Sequence, residues 1–177
     1  MLILSAMERA LKIAPKEPNF LDTVHRLQDY VGPSFNVLVA RASDEERIAE
    51  FQASHRVASE HTAKDIARSF DGERGVLIVL EREGEIFGLC GVQSVDGNGA
   101  ELKALVLSPA YRGQGLGQTV LRSFMRSVLC MGFGFVQVRA LPGMTATQTF
   151  FRSQGFRLTS NGRTEFLKYE FGGQDWR

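Results

Sequence analysis

Three glycines and an arginine crowd into one short run, Arg112-Gly113-Gln114-Gly115-Leu116-Gly117. Ahead of it, Leu102, Ala104 and Val106 alternate with Glu101, Lys103, Leu105 and Leu107, which suits a mostly buried strand, and Pro109 stops that strand. Behind it, Val120, Leu121, Phe124 and Val128 recur at helical spacing. The run therefore turns a strand into a helix. A helix N-terminus carries unpaired backbone N–H groups and a partial positive charge. Glycines there let an anion approach the backbone closely. The chemistry expected is a pyrophosphate cradle with Arg112 at its edge.

Two other phosphate-binding signatures fail. No G-x-x-x-x-G-K-(S/T) run occurs. In the dinucleotide fingerprint G-x-G-x-x-G, Gln118 stands where the third glycine belongs. What fits is (Q/R)-x-x-G-x-(G/A), met by Arg112, Gly115 and Gly117.

The remaining elements must hold this turn in place. Residues 1–34 read as an N-terminal extension to a domain spanning 35–177. Within it, 6–14 suit a short helix ended by Pro15, and Asn19 could cap a second with Leu21, Val24, Leu27 and Val31 on one face. Packing on the core, a homodimer contact and mobility all stay open for this extension. Residues 35–40 (FNVLVA) predict the first strand. Ser43 and Glu46 then form a capping box for a helix, and a second short helix covers about 61–70. Residues 75–81 and 85–95 predict a hairpin turning at Arg82-Glu83-Gly84, and 96–99 (DGNG) lead into the strand before the cradle. After the long helix, 135–140 is a strand, 141–144 (LPGM) a loop and 145–154 a helix stopped by Gly155. Residues 156–159 and 164–171 pair across the turn at 160–162.

With 177 residues the chain fits one domain with a sizeable core, and its formal net charge of +1 gives no sign of a nucleic-acid or membrane partner. No apolar run reaches membrane-span length, and residues 1–5 are too short for a signal-peptide core. Cys90 and Cys130 form no C-x-x-C pair, so no metal or redox pair is expected, and Cys90 reads as a small buried apolar residue. A cytoplasmic protein with reduced thiols is the expectation.

The motif, behind a strand ending in V-L-S-P-A-Y and ahead of a long amphipathic helix, resembles the GNAT superfamily of acyl-CoA-dependent N-acetyltransferases. The end of F-F-R-S-Q-G-F (Phe150, Phe151, Gly155, Phe156) also fits that superfamily, and the likeness covers roughly residues 35–172. It is most similar to small bacterial members. The resemblance implies an α/β (α+β) fold: a mixed, twisted sheet of six or seven strands flanked by helices. Acyl-CoA would bind where the parallel strands 101–107 and 135–140 splay apart. The resemblance gives the backbone of Leu105, Val106 and Leu107 to the pantetheine amides and the thioester carbonyl. It gives Arg112, Gly113, Gln114, Gly115, Leu116, Gly117 and Gln118 to the pyrophosphate.

Amine acylation needs a deprotonated amine, a donor to the thioester oxygen and a route for the leaving thiolate. Glu101 is the base candidate, because a glutamate at this spacing resembles the general base of the histone-acetyltransferase branch. An equal reading makes it a structural or substrate-orienting carboxylate. At the position where many members place a tyrosine acid beside the CoA sulfur, this chain has Phe151, which cannot donate a proton. Tyr111, Tyr169 and Thr147 are substitutes on chemistry alone, and no acid is assigned. His55 and His61 lie where the superfamily varies its substrate wall. Their spacing does not put both on one helical face, so no metal site is expected. His25 reads as surface.

The expectation is an N-acyltransferase using acetyl-CoA as cosubstrate and a primary amine of a small molecule, amino acid or peptide as acceptor. Its rivals are a non-catalytic acyl-CoA sensor or scaffold, and a transferase of another acyl group or to a hydroxyl.

Overall fold

The computed structural model describes residues 20–55, 74–95, 98–140, 142–160, 162 and 164–171. The expected helices at 6–14 and 61–70, the Asn19 cap and His61 lie outside the described residues. The elements run α1 (Leu21–Val31), β1 (Asn36–Val39), a 3-10 turn (Ala42–Asp44), α2 (Glu45–Ser54), β2 (Gly75–Arg82), β3 (Glu85–Val95) and β4 (Gly99–Leu107). A 3-10 turn (Pro109–Tyr111), α3 (Leu116–Cys130), β5 (Phe135–Arg139), α4 (Thr145–Ser153), β6 (Arg157–Ser160) and β7 (Glu165–Glu170) follow. The strands form one seven-stranded mixed sheet in the order β1-β2-β3-β4-β5-β7-β6. Among the described residues only β4 and β5 are parallel. That pair needs a crossover, and α3 supplies it.

The β2–β3 hairpin turns at two residues, of which only Gly84 suits its backbone freely. Glu83 and Gly84 both take positive φ, 54° and 86°, the backbone of a two-residue turn whose twist matches the strands it joins. Two apolar layers cover the sheet. On one face Phe20, Val24 and Leu27 pack with Val120, Leu121, Phe124 and Val128 of α3, and Phe151 of α4 joins them. On the other, Ile48 and Phe51 of α2 meet Leu77, Val79 and Leu89.

Three local expectations are corrected. Leu21 is 42% exposed, whereas Phe20, one residue before the helix, is fully buried. The chain turns inward before α1 starts, so the apolar contact falls on Phe20. The capping box does not use Ser43 and Glu46. Instead Asp44 Oδ2 accepts the Arg41 N–H at 2.9 Å, because a 3-10 turn precedes α2. The simple alternation along β4 also breaks. Leu102 faces the α1–α3 layer, as do Leu105 and Leu107, but Val106 faces the α2 layer. Val92 pairs with Leu102 and Gly91 with Ala104, leaving Lys103 opposite no residue of β3. One extra residue in a strand reverses the face of every side chain after it.

Candidate active site

The cradle forms as a left-handed turn feeding α3. Gly113 and Gly115 sit at φ 73° and 81°, a region that L side chains rarely adopt. Gly115 is the residue before the helix, and no side chain caps the N-terminus of α3. Thr119 N–H is the first to find a helical partner, bonding Gly115 C=O at 3.0 Å. The N–H groups of Leu116, Gly117 and Gln118 lie in the first turn, where a helix offers no internal acceptor. No acidic residue lies there to repel an anion. Gly117 is different from the other two. A Cβ there would stand 3.6 Å from Leu107 and 3.9 Å from Phe150, ordinary contacts. Arg112 is exposed and folds back on the strand end, its Nε donating to Leu107 C=O at 2.7 Å. Gln114 Nε2 donates to Ala110 C=O at 2.8 Å, tying the turn to the segment before it.

The cradle lies at the mouth of a cleft in the sheet. Parallel pairing runs only from Gly99 with Phe135 to Leu102 with Val138. β4 continues to Leu107 without β5 beside it, while β5 stays paired to β7 through Arg139 and Phe166. Ser108 N–H donates to Phe87 C=O at 2.7 Å. Antiparallel pairing alternates, so Val106 also turns its backbone to β3, and Leu105 and Leu107 turn theirs toward the cleft. The Leu107 carbonyl, held by Arg112, agrees with this alternation.

At the inner end of the cleft stands Glu101, 6% exposed. Its Oε1 accepts from Lys103 Nζ, and its Oε2 accepts from Gln137 Nε2 at 3.1 Å. Gln137 is its register partner on β5. Lys103 and Gln137 are site residues that motif reasoning passed over. Gln137 carried a signal, a polar residue alternating with Val136 and Val138 on a strand with an apolar face. Next along the sheet, Lys168 Nζ lies 4.1 Å from the Phe135 ring centroid and bonds Glu170 at 2.8 Å.

The other candidates are placed as follows. His55 follows α2, its ring stacked on Phe51 at 4.5 Å and its Nδ1 2.9 Å from Phe51 C=O. Phe151 is 2% exposed, between the Phe150 and Phe156 rings at 5.3 and 5.2 Å. Tyr111 stacks on Phe87 at 4.3 Å, as a packing residue does. Tyr169 packs against Phe156 and Phe171. His25 is exposed. Cys90 is buried, and loss of solvent pushes its thiol up from 9.0 to about 12, which keeps it inert. Among the described residues no group of three or more His, Cys, Asp or Glu side chains could hold a metal ion. No described helix is long and apolar enough to cross a membrane.

The Acetyltransferase (GNAT) family model matches residues 40–156, more than half of the chain. Solved structures with the same fold include a GNAT-family acetyltransferase from Staphylococcus aureus, at 16% identity and TM-score 0.65, covering 77% of this chain and 98% of that one. The PaiA N-acetyltransferase of Thermoplasma acidophilum, in complex with coenzyme A, matches at 16% identity and TM-score 0.63, over 78% of this chain and 100% of that one. The ribosomal-protein-S18-alanine N-acetyltransferase of Escherichia coli matches at 18% identity and TM-score 0.61, over 81% and 99%.

Proposed function

The chain belongs to the GNAT acetyltransferase family, and on that premise we propose that it is an acyl-CoA-dependent N-acyltransferase, moving acetyl from acetyl-CoA to a primary amine by direct attack. The observation that carries the reading is the cleft. β4 runs past the end of its pairing with β5, and a 3-10 turn and the glycine turn then carry the chain into an uncapped helix N-terminus. A strand edge with free amides and an anion-binding turn are thus joined end to end. Acyl-CoA is a thioester on an amide-bearing arm that ends in phosphates, and the cleft matches that order. Coenzyme A in the T. acidophilum structure makes it the first ligand to test.

In this reading the N–H groups of Leu116, Gly117 and Gln118 receive the pyrophosphate, with Arg112 beside them. A backbone N–H of Leu105 or Leu107 polarises the thioester carbonyl. Glu101 takes the proton that the ammonium of the acceptor must lose, directly or through water. The amine nitrogen then bonds to the carbonyl carbon, and the carbon–sulfur bond breaks. The nitrogen sheds its second proton, the thiolate takes up one, and the products are an amide and the CoA thiol. Phe151 supplies no proton, and thiolate is a tolerable leaving group unaided.

That same phenylalanine, buried among aromatic rings, favours one second reading, an acyl-CoA-binding protein without turnover. Release of CoA thiol from acetyl-CoA across a panel of primary amines separates the two. Glu101→Gln is expected to keep CoA binding and slow transfer. CoA binding with no acceptor turned over would overturn the transferase reading and leave the second.

A further inference from the structure

Glu101 and Lys103 form an ion pair in the cleft, with side chains 8% and 21% exposed. Lys103 is the bulged residue of β4. Its ammonium uses one donor on Glu101, and an ammonium has three. Gln137 Nε2 also spends one hydrogen on Glu101 and has a second. The two sides of the carboxylate are therefore flanked by donors with spare capacity. Lys168 is engaged elsewhere, with Glu170 and the Phe135 ring.

We propose that the acceptor is a zwitterion, an amine with a carboxylate on the adjacent carbon, as in a free α-amino acid. This rests on the transferase reading above and narrows its acceptor. The argument is one of charge balance in a poorly solvated place. The Glu101–Lys103 pair is neutral as a unit. A ligand carrying only an ammonium pairs with Glu101 but meets the like charge of Lys103. If Lys103 is displaced instead, its charge is left uncompensated where solvent is scarce. A polyamine is disfavoured on both counts. A zwitterion brings both charges, its ammonium to Glu101 and its carboxylate to Lys103 and Gln137. The four charges then alternate in sign, and none is buried alone. Transfer removes the positive charge of the ligand, because the ammonium gives one proton to Glu101 before attack and a second balances the departing thiolate as the nitrogen becomes an amide. The product keeps only its carboxylate, and once Glu101 has returned its proton to solvent the neutral Glu101–Lys103 pair no longer matches it, which favours release.

The test compares free L-amino acids with their decarboxylated amines and their carboxamides as acceptors for acetyl-CoA, read by release of CoA thiol. L-phenylalanine, 2-phenylethylamine and phenylalaninamide make one such trio, alanine and methionine two others. The amino acid is expected to exceed its amine in kcat/KM by roughly tenfold or more, the worth of one charged hydrogen bond. Lys103→Gln is expected to erase that preference through KM, and Lys103→Arg to retain it. Calorimetry with CoA on each variant checks that the cradle, and hence the fold, is intact. Because Lys103→Gln could lower stability, wild-type binding of the amino acid and of the amine to the CoA complex gives a second measurement. Amines acylated as well as or better than amino acids would overturn the proposal alone. Equal losses for both acceptors in Lys103→Gln would also overturn it, by making the pair structural. CoA bound but no acceptor acylated would overturn the transferase reading and this proposal with it.

Discussion

Arg112 Nε holds the Leu107 carbonyl, and in the proposed reading the same side chain lies beside the CoA pyrophosphate. Arg112→Ala is expected to weaken CoA binding by at most about 1.5–3 kcal/mol, less as solvent screens the contact. Calorimetry at low salt checks this, and an unchanged affinity would make Arg112 a strand-end clasp alone. Phe151→Tyr adds a hydroxyl to a buried aromatic cluster. The expected result is a stability loss of about 1–3 kcal/mol in urea unfolding with no change in transfer rate. A faster enzyme would instead put that hydroxyl beside the CoA sulfur. Cys90 makes stability depend on pH. Burial raises its thiol from 9.0 to about 12, so the folded chain keeps a proton that the unfolded chain releases. Stability from this site is complete below about pH 9 and falls as pH rises toward 12, by up to roughly 4 kcal/mol. In Cys90→Ala that alkaline slope is expected to flatten, on top of a uniform cavity cost.

At the scale of elements, the cradle glycines separate into two kinds. Gly115 needs positive φ to start α3, so Gly115→Ala is expected to cost about 1 kcal/mol in stability besides weakening CoA. Gly117 has ordinary φ and room for a methyl group. Gly117→Ala is expected to leave the melting temperature unchanged or higher, so any loss of CoA affinity reports close approach of the ligand. The parallel strands meet through another glycine. A Cβ on Gly99 would fall 2.1 Å from the Phe135 ring. Gly99→Ala is expected to cost about 1–3 kcal/mol, and Phe135→Leu in the same chain to recover part of it. No recovery would place the strain in the backbone.

Over the whole molecule, α1 is part of the structure that carries the cradle. Phe20 and Leu27 are buried against the same layer that holds Val120, Leu121 and Phe124 of α3. Residues 20–34, the described part of the extension, pack on the core through Phe20, Val24 and Leu27. Removing them would expose that face of α3. Each large side chain unburied costs about 1.5–3 kcal/mol, so the shortened chain is expected to melt well below the full one or to aggregate. A shortened chain of equal stability would show that α1 packs without contributing to the fold.

Much of this was legible in the sequence, because the features are local. Alternation gives strands, a helical period gives α3, and glycine spacing gives the turn between them, each within a few residues. The left-handed Gly84 and Gly115 follow from backbone sterics alone, whereas Glu83 takes positive φ against its own preference because the hairpin register requires it. The bulge at Lys103 was not legible, since it exists only in the register of β4 against β3. It decides which face Val106 takes. The partners of Glu101 split the same way. Lys103 is two residues along the strand, but Gln137 comes from a strand that α3 carries back alongside. The fully buried Phe20 was missed because its burial depends on how the chain enters α1. Local sterics and periodicity determined the elements and the glycine turn that starts α3. Strand register, which pairs residues far apart in the chain, decided the cleft and the charges that line it.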